Sequence, residues 1–191
     1  KTTSGPGLLI ESTNDGFITA NISESFFNNS ATEGIKIQAD TGGEAKLTLS
    51  DSSVNSNGDI TASAGIAVEV GVTADAESPN EPGTFATVKL DMSDVDVLNN
   101  ALEGLHVDAA SGGKFQTTAP VRGTTFAGNG TASLRNAVNI RGAGAATSIE
   151  ARFDGVTADN AKASAFHFEG TAGAKLAVVV NNSFAAGAGA D

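Results

Sequence analysis

The chain has no cysteine, no tryptophan and no tyrosine, and only one methionine and four prolines among its 191 residues. Without cysteine there are neither disulfide staples nor thiolate metal sites. Without tryptophan or tyrosine, a sugar-binding groove would have to stack its ligand on phenylalanine. Basic residues are scarce as well: 11 Lys and Arg against 22 Asp and Glu give a formal charge of −11. No basic cluster offsets phosphate repulsion, so a nucleic-acid partner is not expected. No apolar run approaches the length that a bilayer demands, so no transmembrane segment is expected either. The two histidines, His106 and His167, do not sit at metal-ligand spacing.

What the chain does contain is glycine (23 residues), alanine, serine, threonine and asparagine, with Val, Ile, Leu and Phe at regular intervals. One phrase occurs six times: a small residue, then two apolar residues flanking a variable one. Its copies begin at Gly7, Gly34, Gly65, Gly104, Ala137 and Ala165. Each is followed by a glycine-rich gap, an alternating run such as Leu47-Thr48-Leu49 or Val88-Lys89-Leu90, and a lone Val or Phe near Asn. From phrase start to that lone residue (Phe27, Val54, Val97, Phe126, Val156, Phe184) the intervals are 20, 20, 32, 22, 19 and 19 residues. The long third interval is accounted for by residues 71–84, which contain Pro79 and Pro82 and read as an inserted surface loop.

Fixed recurrence at this period means a solenoid, in which no repeat buries its apolar face alone. The alternation has period two and no useful stretch has the helical period, so each copy reads as three short strands. The expected fold is all-β: a right-handed parallel β-helix of about six rungs, spanning residues 1–191 as a single segment. At ~4.8 Å per strand such a rod is about 29 Å long. Its ends would be open rows of unpaired backbone groups, and another phrase is expected beyond Gly187–Asp191, so the segment reads as part of a longer solenoid or as a rod that stacks on another.

The small-Ile-x-Ile phrase followed by Phe or Val and Asn resembles the repeat of the right-handed parallel β-helix proteins of the pectate-lyase-like superfamily. The resemblance covers Gly7 to Phe184. It implies a fold more than an activity, because that superfamily holds lyases, hydrolases, tailspikes, adhesins and proteins with no known activity. It also implies that Asn28, Asn55, Asn99, Asn129 and Asn160, which follow the third strand, stack as a hydrogen-bonded ladder. Asparagine suits such turns by its own physics, since it tolerates the left-handed conformation.

Strand alternation places two outward columns on the first sheet: Leu9, Lys36, Ala67, His106, Asn139, His167, and Glu11, Gln38, Glu69, Asp108, Arg141, Glu169. The family's polysaccharide-cleaving members carry their acids and base on this sheet, which makes Glu69, Asp108, Arg141 and His106 the candidate catalytic residues. Glu69 and Asp108, one rung apart, are also the candidate ligands of a Ca²⁺ ion, the one cofactor considered. Against this stands the plainer reading of a wet, charge-laddered surface.

Two functions therefore remain. The first is a non-enzymatic structural or adhesive solenoid of a secreted or bacterial cell-surface protein, associating with itself through its open ends. The second is a module that binds or cleaves extracellular polysaccharide. For the fold, aspartate at Ile35, Val68, Leu105, Ile140 or Phe168 is expected to unfold the rod, while alanine at Lys36 or Asn139 is expected to cost little.

Overall fold

The computed structural model describes residues 5–58, 63–71, 85–130, 135–159 and 161–186. Among these there is no helix, and every strand pairing is parallel. The first sheet stacks β1 (Leu8–Ser12), β3 (Ile35–Ala39), β5 (Ile66–Val70), β7 (Leu105–Ala109), β11 (Val138–Ala143) and β14 (Phe166–Thr171). The remaining strands form one wrapped sheet: β2 (Phe17–Ser23), β4 (Glu44–Asn55), β6 (Thr87–Leu98), β8 (Lys114–Gln116), β9 (Val121–Arg122), β10 (Thr125–Ala127), β12 (Ser148–Asp154), β13 (Thr157–Asp159), β15 (Lys175–Asn181) and β16 (Phe184–Ala186). The result is a parallel β-solenoid of about five turns. The loop expected at 71–84 lies, apart from Gly71, outside the described residues.

Alternation decides which side chains enter the rod. On the first sheet Ile10, Ile37, Val68, Val107, Ile140 and Phe168 form one inward column in register. On the second, Ile22, Leu49 and Met92 lead to Val121, Phe153 and Val180. Toward the last turns the filling becomes aromatic: Phe153, Phe166 and Phe168 pack with ring centroids 5.7–6.4 Å apart. The bulk is matched by Gly142 and Gly170, at which a Cβ would press on Ile149 and Leu176.

The expected second and third strands are continuous in β4 and β6, bent at Asp51 and Asp94, which have a left-handed backbone. Glu24, Gly123, Gly155 and Asn182 hold the same left-handed conformation at this corner in the other turns. In the fourth turn the ladder is interrupted between β8 and β9 by Pro120, which has no N–H to give. Asp91 repairs the break by accepting the Thr118 and Ala119 N–H groups at 2.7 and 2.9 Å, and it also receives the Thr118 hydroxyl.

Two details of the repeat differ from the sequence reading. The column begun by Phe27, Val54, Val97 and Phe126 continues through Ala158 and Ala185, not Val156 and Phe184. Alanine carries too little apolar bulk to mark a core column in sequence, although it makes the spacing more even. The asparagines, in turn, divide among three positions. Asn28 and Asn55 form an outer pair, in which Asn28 accepts the Asn55 N–H and Asn55 accepts the Leu98 N–H at 2.9 and 3.0 Å. Asn29, Ser56, Asn99 and Gly128 supply the left-handed corner. The buried ladder is formed by the next residues, Asn57, Asn100 and Asn129, with Ser30 at its head. Of the residues expected in the ladder, only Asn129 sits in it, and Asn160 lies outside the described residues.

Candidate functional site

Because Leu105, Val107 and Ala109 fill the core, β7 must turn His106 and Asp108 outward. Parallel pairing then sets His106 between Ala67 and Asn139, and Asp108 between Glu69 and Arg141. Both outward columns run in the expected register, from Leu9 to His167 and from Glu11 to Glu169.

These groups are joined through one buried carboxylate that is not among the residues expected from the sequence. Glu103, in the turn before β7, is only 2% exposed. Its Oε1 lies 3.6 Å from His106 Nδ1, 3.3 Å from Asn139 Nδ2 and 3.7 Å from Arg135 Nη1. On the far side of the ring, His106 Nε2 is 2.9 Å from Asp108 Oδ2, and Arg141 Nε donates to Asp108 Oδ1 at 3.0 Å. Asn139 Oδ1 lies 2.8 Å from His167 Nδ1, so the carboxamide connects His167 with Glu103. Only its turn position before Gly104 marks Glu103 in the sequence, and a turn glutamate is ordinarily solvated.

The electrostatics follow from this sandwich. Burial pushes the His106 imidazole down, but the hydrogen bonds and charges of Asp108 and Glu103 outweigh it and raise the ring to about 9. Asp108 is held below its ordinary value, chiefly by the hydrogen bond from His106, against burial and with help from Arg141. For Glu103, burial pushes upward, yet His106, the backbone and Arg135 leave the carboxyl lowered. At neutral pH the site is therefore an imidazolium held between two carboxylates. Such a ring has no free nitrogen to act as a base.

Glu69, expected to share Ca²⁺ with Asp108, instead lies 3.1 Å from Lys36 Nζ, and Asp108 already has two cationic neighbours. Among the described residues no group of three or more His, Asp or Glu side chains is arranged to hold a metal. Two grooves border the network. One, of about 420 Å³, is lined by Asp108, Arg141, Glu169 and Thr171; the other, of about 240 Å³, by Glu33, Glu69, Glu103 and His106. Asn139 is also not the innocuous surface residue expected. It is buried, and alanine there would take a donor from Glu103 and the bridge from His167.

Fold and site together define a parallel β-solenoid with a self-compensated charge network on its first sheet. No family model, curated protein or solved structure matches the chain.

The network predicts a pH dependence. His106 has its folded value raised from 6.5 to about 9, so its contribution is complete below pH 6.5 and is lost as pH rises through 9. The lowered carboxyls work in the opposite sense, contributing above their ordinary values and losing that contribution in acid. Urea unfolding should show greatest stability near pH 5–6.5 and a loss on the order of 2–3 kcal/mol by pH 9–10. His106→Asn should flatten the alkaline limb; an unchanged limb would mean that the sandwich does not form.

Proposed function

We propose that the chain is a non-enzymatic structural or adhesive rod, a pectate-lyase-like β-solenoid segment of a larger secreted or cell-surface protein. One observation carries this reading. Of the candidate catalytic groups, Glu69, Asp108 and His106 are each held by a partner of opposite charge, and Arg141 is engaged with Asp108. A site tuned for acid–base work keeps one group near neutrality and free to move a proton. Here the charges are spent on one another, as in a surface ladder. The proposed setting is extracellular, where shape and a repetitive face are the working properties.

The groove beside Arg141 and Glu169 favours a second reading, contact with extracellular polysaccharide. The discriminating experiment incubates the chain with acidic and neutral polysaccharides, with and without Ca²⁺, and follows unsaturated and reducing ends. No product is expected. Product formation that Asp108→Asn or Arg141→Ala abolishes, with the circular-dichroism spectrum unchanged, would replace the structural reading by the enzymatic one.

A further inference from the structure

The end turns differ from the interior in one outer column. Phe26 stands beside Ser53, and the column continues through Asp96, Thr125 and Thr157 to Phe184. The four inner rungs are thus polar, while the two end rungs carry phenylalanines that are 78% and 59% exposed. A separate outward column, at the start of the second strand, begins at Phe17, 66% exposed, and ends at Lys175. The core is open at the same two places. Ile18, Ala20 and Ile22 in the first turn and Leu176 and Val178 in the last are only partly buried, while their partners Ala45, Leu47, Leu49, Ile149 and Ala151 are fully buried.

We propose that the last-turn face of one copy of this chain seats on the first-turn face of another in unbroken register, setting Phe184 of one copy beside Phe26 of the next. The proposal rests on the structural-rod reading and names its partner. In this joint Val180 meets Ile22, Val178 meets Ala20 and Leu176 meets Ile18, so every inward column continues. Lys175 comes over Phe17, the kind of contact that Lys114 makes with Phe85 at 5.4 Å. The same position carries a hydroxyl near both ends: Ser52 Oγ accepts the Ser25 N–H, and Ser183 Oγ accepts the Val156 N–H, while Val95 and Val156 interrupt the series between them. In the joint Ser25 Oγ would stand to the Ser183 N–H of another copy as Ser52 Oγ stands to the Ser25 N–H. The one opposing pair is Glu169 against Glu11, which makes the joint stronger in salt. Pairing like ends would run the strands antiparallel and break every column.

The absence of cysteine makes the test direct. Single variants Phe26→Cys and Phe184→Cys are mixed and oxidised. Neighbouring parallel strands lie about 4.8 Å apart, within the span of a disulfide. A covalent heterodimer in excess of its statistical share is expected, because the joint sets position 184 of one copy against position 26 of the next and never like against like. Phe184→Glu should weaken association by about tenfold or more with an unchanged circular-dichroism spectrum. Homodimers matching the heterodimer, or a strict monomer by light scattering at all concentrations, would overturn the joint. A strict monomer leaves the rod reading standing, whereas polysaccharide cleavage removes that reading and leaves the joint to be judged by the cross-link.

Discussion

Val68→Asp is expected to abolish folding at 25 °C, while Phe168→Asp in the same inward column leaves most of the rod intact. Val68 is fully buried between Ile37 and Val107. Replacing it forfeits about 2 kcal/mol of apolar burial and puts a carboxylate where no cation can reach it, a further cost of several kcal/mol. Together these rival the whole stability of a domain this size, about 5–15 kcal/mol. Ile35, Leu105 and Ile140 stand in equally dry positions and should behave like Val68. Phe168 does not, although it stands in the same inward column, because in the last described turn it is only partly buried. A solenoid's stability is a sum over neighbouring turns, so damage at the end frays one turn instead of melting all of them. Circular dichroism and urea midpoints separate the cases. Lys36→Ala, which removes only the half-exposed pair with Glu69, should shift the midpoint by less than about 1 kcal/mol. Equal losses from Val68→Asp and Lys36→Ala would mean that the inward and outward assignments are wrong.

The fold was legible because strand alternation and a fixed repeat act on every turn alike. Six phrase starts placed all six strands of the first sheet, and the register of both outward columns followed from counting. What stayed hidden was anything that depends on one residue's depth. Glu103 and Glu33 both precede a phrase-opening glycine, but it is Glu103 that meets His106 three residues on and Asn139 and Arg135 of the next turn. Adjacent asparagines such as Asn99 and Asn100 likewise look alike in sequence. One bends the backbone while the other enters the core, and a shift of one residue exchanges those roles.

The buried ladder explains why the repeat opens with glycine, and it yields the second large effect. Asn100 Oδ1 accepts the N–H and the side-chain amide of Asn57 at 3.0 and 3.1 Å, and its own amide reaches the Val54 carbonyl and Asn129 Oδ1 at 3.0 and 2.9 Å. Asn100→Ala strands the Asn57 N–H and the Val54 carbonyl in the core, a loss of about 3 kcal/mol or more. The exposed Asn28, which accepts from Asn55 at the outer position, should cost less than about 1 kcal/mol when replaced by alanine. A Cβ on Gly65 would come within 2.6 Å of Asn100 Nδ2 and 2.8 Å of Val97 Cγ1. Gly34 meets Asn57 and Gly104 meets Asn129 in the same way. The turn that opens with Ala137 has Ala161 in place of the ladder residue, so the methyl group at its start and the missing amide at its end occur together. If the amide is what excludes the methyl, Gly65→Ala should cost about 1–3 kcal/mol in the natural chain and less in the Asn100→Ala background. A double-mutant cycle by urea unfolding measures that difference, expected at about 1 kcal/mol because the contact with Val97 remains. Strict additivity would assign the glycine to Val97 and the backbone alone, and Ala137 and Ala161 would then share a turn by coincidence.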